Sequence, residues 1–207
     1  MRRVLFVLAA LSAMAFASGS NFLLDRPVVA GSTDDLLQYD DGSAYWLTWG
    51  GLYRGTWFNL DDFLPGGMGA ANNLQYWFYH HASYPWDTAS FYSELYNGDA
   101  AAPVTQLNQT SCLATHYTPI TATYATPIVT ESDFWGLINT EMSAGGWPSV
   151  LGDNSAGSVS HSMFSDDFIV WEPWIISGSY SNDYLIRCTF TFGLESTTWG
   201  AIKGLYN

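Results

Sequence analysis

Between Tyr39 and Phe192 the chain is a succession of short aromatic and β-branched runs cut by glycine, asparagine and aspartate. No long segment repeats apolar residues at the three-and-four spacing of a helix. Tyr184–Phe192 shows the opposite period most clearly. Tyr184, Ile186, Cys188, Phe190 and Phe192 alternate with Leu185, Arg187, Thr189 and Thr191, as in a half-buried strand of an antiparallel sheet. Leu74–His81, Ser90–Tyr96, Ser111–Tyr117, Ala122–Val129, Phe134–Asn139 and Phe168–Trp171 read as further strands. Ala44–Trp49 and Leu52–Phe58 flank Gly50-Gly51, which predicts a hairpin. Roughly ten short strands separated by turns predict an all-β fold: a single antiparallel two-sheet sandwich, jelly-roll-like, with a closed barrel as the alternative.

Composition narrows what such a sandwich can do. Aromatic residues are 17% and charged residues 12% of the chain, which excludes a disordered polymer, poor in apolar mass and rich in charge. Six Lys and Arg against nineteen Asp and Glu leave a formal charge of −13 and no basic patch, so nucleic acid is not an expected partner.

The first residues read as an export signal. Arg2 and Arg3 precede an apolar stretch from Val4 to Ala17 that ends in the small-x-small site Ala15-Phe16-Ala17. That stretch is shorter than the about 20 residues a membrane-spanning helix needs, so no transmembrane anchor is expected. The organisation is then a signal peptide over 1–17, an N-terminal arm over 18–38, the sandwich over 39–193 and a tail over 194–207. Removing two arginines takes the charge from −13 to −15. In the tail, Trp199, Ile202 and Leu205 or Tyr206 share one face of a short capped helix, either a sorting or docking segment or a piece that packs on its own domain. Secretion to the exterior or the cell surface favours a Cys112–Cys188 disulfide, with two separate buried thiols as the alternative.

The candidate sites follow from loop chemistry. Asp40 and Asp41, with Asp153 and Asn154, are oxygen-rich turn residues of the kind that bind calcium, the candidate cofactor. Their alternative role is that of solvated turn residues. Trp86, beside Asp87, and Trp147, between Gly146 and Pro148, sit in turn-rich segments. With Asp87 and Asp153 they are the candidate ligand-binding residues, stacking on sugar rings and accepting from hydroxyls. Polysaccharide or a cell-envelope component is thus an expected partner, with a carbohydrate-active hydrolase, or self-association through free strand edges or as a calcium-bridged subunit of a surface layer or fibre, as the alternatives. No catalytic residue is assigned: Glu94, Glu131, Glu141, Glu172 and Glu195 are available to a glycosidase, yet nothing in one sequence pairs them. His80, His81, His116 and His161 lack close ligand spacing, and Ser162 lacks a GxSxG context.

Several short motifs recur in a fixed order: Tyr39-Asp40-Asp41-Gly42, Phe134-Trp135-Gly136-Leu137-Ile138, Gly146-Trp147-Pro148, Gly152-Asp153, His161-Ser162, Trp171 and Asp183-Tyr184-Leu185-Ile186-Arg187. With the tail Trp199-Gly200-Ala201-Ile202-Lys203-Gly204-Leu205-Tyr206, this order resembles a group of uncharacterised secreted bacterial β-sandwich proteins with a YDDG start, a DYLIR-like last strand and a WGxIKxLY-type ending. The resemblance implies a secreted or surface module of unassigned activity and carries no active site with it.

Overall fold

The computed structural model describes residues 34–48, 51–130, 133–154, 161–176 and 180–193. The expected signal peptide and the 194–207 tail lie outside these residues. The first half of the chain contributes β1 (Asp35–Leu37), β2 (Trp46–Thr48), β3 (Tyr53–Phe58), β4 (Gly69–Tyr76), β5 (Ser90–Gly98), β6 (Pro103–Leu113) and β7 (Ile120–Thr130). The second half contributes β8 (Phe134–Asn139), β9 (Val150–Gly152), β10 (Ser162–Ser165), β11 (Glu172–Pro173), β12 (Ile175–Ile176), β13 (Tyr180–Ser181) and β14 (Ile186–Phe192). The single helical turn described is 3-10, at Leu60–Asp62.

Two antiparallel sheets form the sandwich. One has the order β1-β14-β4-β7, the other β11-β10-β3-β8-β5-β6, and two small pairs, β2-β9 and β12-β13, complete the described strands. The strand read in Tyr184–Phe192 is found as Ile186–Phe192, but Leu185 and Arg187 on one side are buried too, so it is not the half-buried strand expected. Ile186, Cys188 and Phe190, on the other side, point into the core between the sheets. There Phe190 stacks on Phe134 of the facing sheet at 5.5 Å between ring centres. The sheets also share polar contacts, since the Tyr76 hydroxyl on β4 lies 2.6 Å from Ser93 Oγ on β5 and donates to the Leu137 carbonyl at 3.1 Å. Gly136 lets them close at the centre: a Cβ there would stand 2.7 Å from Leu74 Cδ2. β8 is buried along its whole length, because its other face is also covered.

Several expectations are corrected. β2 and β3 do not form a hairpin; β2 pairs with β9 while β3 lies between β8 and β10. The strands on either side of Gly50-Gly51, of which Gly50 lies outside the described residues, therefore belong to two different sheets, and a turn signal cannot specify which strands its arms will pair with. Phe168–Trp171 is a loop, and Leu74–His81 and Ser111–Tyr117 are strand only as far as Tyr76 and Leu113. Asp35–Leu37, placed in the arm, is the edge strand of the four-stranded sheet, paired with Phe190–Cys188 of β14. The Cys112–Cys188 disulfide is absent and both cysteines are free. Cys188 lies on β14, which packs against β8, and Cys112 on β6, two strands further along the other sheet. Two strand spacings are about 10 Å, beyond the Cα separation of about 7 Å that a disulfide can bridge.

Candidate functional site

The motif residues scattered along the sequence converge on one buried polar hub. Arg187, leaving β14 on the side away from the core, donates from Nε to Asp40 Oδ2 at 2.9 Å and from Nη2 to Asp40 Oδ1 at 2.5 Å. Its guanidinium lies 4.4 Å above the Trp77 ring. Asp153 accepts from the Asp41 amide at 3.0 Å and the Asp183 amide at 2.8 Å. Asp183 in turn accepts from the His161 amide and the Ser162 hydroxyl, both at 2.9 Å. Burial, opposed by the Ser162 hydrogen bond and reinforced by the Asp153 charge, raises the Asp183 carboxyl to about 7. His161 is stacked on Tyr39 at 3.5 Å, and both meet the Asp62 carboxylate. Burial lowers the imidazole pKa, against the pull of Asp62.

Asp40, Asp41 and Asp153, three of the four expected calcium ligands, therefore lie in one hub, linked through the Asp41 amide and not through their carboxylates. Their carboxylates face protein donors: Asp40 holds Arg187 and the Gly42 amide, Asp41 holds Ser43, and Asp153 holds two backbone amides. Asn154 is exposed beside them. Among the described residues no three His, Cys, Asp or Glu side chains are grouped so as to hold a metal ion.

Trp86, Asp87 and Trp147 are also drawn together, at one end of the sandwich, where they hold a loop. Trp86 Nε1 donates to Ser149 Oγ at 2.8 Å and its ring packs on Phe78. The Asp87 carboxylate accepts from Ser143 Oγ at 2.7 Å and the Ala144 amide at 3.0 Å, and these bonds lower its pKa. Arg54 pins the same loop from below, donating to the carbonyls of Thr48, Gly146 and Pro148. Burial without a carboxylate partner lowers the guanidinium to about 10. Asp153 lies in the hub, so the four expected ligand-binding residues do not form one surface.

A different surface gathers the groups a ligand site needs. Along β5, Phe91 and Leu95 enter the core while Ser93 bonds Tyr76, which turns Tyr92, Glu94 and Tyr96 to the outer face of the six-stranded sheet. Glu94 is flanked by Leu137 of β8 and Gln109 of β6. Its Oε1 accepts from Gln109 Nε2 at 2.7 Å and Asn139 Nδ2 at 2.9 Å. Its Oε2, in a residue 1% exposed, accepts no hydrogen bond of ordinary length. The same Asn139 amide reaches the exposed Glu141 carboxylate at 3.3 Å, and Tyr53 donates to Glu141 at 2.5 Å. Burial, then the Glu94 charge and a hydrogen bond to the Glu94 side chain, push the Tyr96 phenol up to about 12; burial and the Glu141 hydrogen bond raise that of Tyr53. Both phenols stay protonated donors.

The loop from Asp166 to Trp171 walls one side of this patch. The Asp167 carboxylate accepts from the Ile169 and Val170 amides at 2.8 and 3.0 Å, bonds that lower its pKa. Phe168, held at a left-handed φ of 65°, packs on Tyr53 and Tyr96, and Trp171 packs on Trp135. Glu94 and Glu141 were candidates in the sequence; their partnership was not readable there, because Asn139 joins them across two strands. The alternation Tyr92, Glu94, Tyr96 is the signal that points to the face.

No protein-family model, curated protein or solved structure matches this chain.

Proposed function

We propose that the chain is an exported, non-catalytic module of the cell surface or envelope that binds a glycan on the outer face of its six-stranded sheet. The observation that carries this reading is the patch itself: Tyr53 and Tyr96 flank a hydrogen-bonded array of Glu94, Asn139, Glu141 and Gln109. Tyrosine faces stack on the apolar side of a sugar ring while carboxylates and amides pair with its hydroxyls, and half-buried tyrosines lose little entropy on binding. A regular sheet fixes these groups more rigidly than loops do. The loop tryptophans Trp86 and Trp147 are secondary, since they hold the 143–149 turn. Export rests on the Arg2-Arg3 and Val4–Ala17 signal. Glycan-array binding followed by calorimetry tests the reading: Tyr96→Ala and Glu141→Ala lower affinity at least tenfold, whereas folded wild-type protein that binds no glycan overturns it.

A second reading, assembly, has its own observation. Three of the four sheet edges are blunted in ways that discourage strand addition. β1 has three residues, β11 is Glu172–Pro173, and β7 carries Pro127 and faces a register shift. β6 has Pro103 at its start and two register shifts near that end, but it has no charged residue and its segment Asn108–Leu113 pairs regularly with β5. Sedimentation over a wide concentration range decides: a monomer throughout removes this mode.

A further inference from the structure

The charge of the patch says which kind of glycan it takes. Glu94 and Glu141 share the two hydrogens of one Asn139 amide, at 2.9 and 3.3 Å, so the carboxylates lie side by side. Among the described residues no cation faces them. Arg54 is enclosed by main-chain carbonyls and Arg187 by Asp40, both away from this face. Glu94 Oε2, in a residue that is 1% exposed, accepts no hydrogen bond of ordinary length, and the other donor at this carboxylate is the Tyr96 phenol. A sugar hydroxyl would give these carboxylates one neutral hydrogen bond. An ammonium gives three donors and the missing charge, and charge-assisted bonds are about twice as strong as neutral ones. Tyr53, bonded to Glu141, and Tyr96, beside Glu94, add ring faces that attract cations. The chain's net charge of −13 steers a polycation toward it.

We propose, resting on the glycan reading above, that this face recognises an amino-sugar polymer in its free-amine form, with an ammonium received between Glu94 and Glu141 and the sugar ring against Tyr96. Acetylation of the amine removes both the charge and two of its donors, so the site discriminates between otherwise identical polymers.

The test is calorimetry on the full mature chain with chitin oligosaccharides and the same oligosaccharides de-N-acetylated, below the pKa of the free amine. The de-N-acetylated ligand is expected to bind at least tenfold tighter, and Glu141→Gln to bring the two to within about twofold. The exposed Asp35, on the far edge of the other sheet, supplies the control for attraction to net charge alone. Asp35→Asn removes the same charge and leaves the preference intact. Equal or tighter binding of the acetylated ligand overturns the inference and leaves the glycan reading standing. A loss in Asp35→Asn as large as in Glu141→Gln overturns it as non-specific attraction. Failure of both oligosaccharides, together with every glycan on the array, removes the glycan reading and this inference with it.

Discussion

The buried Asp183 makes a quantitative prediction about stability and pH. In the folded chain its carboxyl holds its proton up to about 7, against an ordinary value of 3.8, first because it is buried and then because Asp153 and Asp40 add negative charge around it. In the unfolded chain the group titrates normally. Between these two pH values the folded state binds more protons than the unfolded one, so stability falls as pH rises. At about 1.4 kcal/mol per pH unit, the loss across that window reaches about 4 kcal/mol. His161, whose amide bonds Asp183, acts with the opposite sign. Burial lowers its folded pKa, so it destabilises as pH drops below about 6.5. The variant Asp183→Asn separates the two: its Oδ1 keeps the bonds from the His161 amide and Ser162, and it carries no proton to lose. Urea unfolding from about pH 5 to about pH 8 measures the difference in unfolding free energy between wild type and variant. Relative to the variant, wild type is expected to lose more than 1 kcal/mol per pH unit over the middle of that range and to be the less stable protein at its upper end. Parallel curves would refute the reasoning, because Asp183 would then titrate alike in both states.

Other consequences follow from the same geometry. Asp40→Asn leaves Arg187 buried without its counter-charge and costs about 3–5 kcal/mol in denaturant unfolding; a loss below about 1 kcal/mol would show that the pair is solvated. Gly136→Ala sets a methyl 2.7 Å from Leu74 Cδ2 and 3.4 Å from Ile186 Cγ2, and lowers stability by about 1–3 kcal/mol on thermal melting. The melting temperature is the same with and without reductant, since Cys112 and Cys188 are free; a drop on reduction would reveal a bridge between them. Added calcium leaves it unchanged too, because Asp40, Asp41 and Asp153 face protein donors, and an upward shift would show that the ion displaces them.

Local alternation located β3, β5, β7, β8 and β14, and the structure returns Phe134–Asn139 residue for residue. The short strands β9 to β13 carry no such signal, and Leu74–His81 and Ser111–Tyr117 run past the strands that end at Tyr76 and Leu113. Pairing was not readable in the same way. Gly50-Gly51 looks like the turn of a hairpin, yet β2 finds its partner in β9 about a hundred residues on, with Thr48 Oγ1 bonded to the Val150 carbonyl. The acids of the hub were visible as turn residues of a solvated or calcium-binding type. Their role depends on Arg187, which is 147 positions from Asp40 and was read only as one member of the set Leu185, Arg187, Thr189 and Thr191 in a half-buried strand. Asp40 covers it, and Trp77 packs on its guanidinium, so the polar side of β14 is buried as well. The outer-face patch was the least legible, because Tyr53, Glu94, Gln109 and Asn139 come from four strands, and only their register, set by the whole sheet, brings them together.

The scarcity of basic residues then acquires a structural meaning. Of six Lys and Arg in the chain, the two that lie among the described residues, Arg54 and Arg187, are fully enclosed. One fastens three carbonyls of the 146–148 turn and Thr48, the other closes the last long strand onto the YDDG segment. Both cations are thereby committed to folding, at positions where a carboxylate or a main-chain carbonyl already meets them. Glu94 and Glu141 stand on a different face, held by amides and a phenol that donate hydrogen bonds but no charge. Asp40 and Asp153, by contrast, have both carboxylate oxygens matched from within the chain. The second oxygen of Glu94 is thus placed where a donor from outside the chain has the most to contribute, and the charge it lacks is the one property that donor must bring.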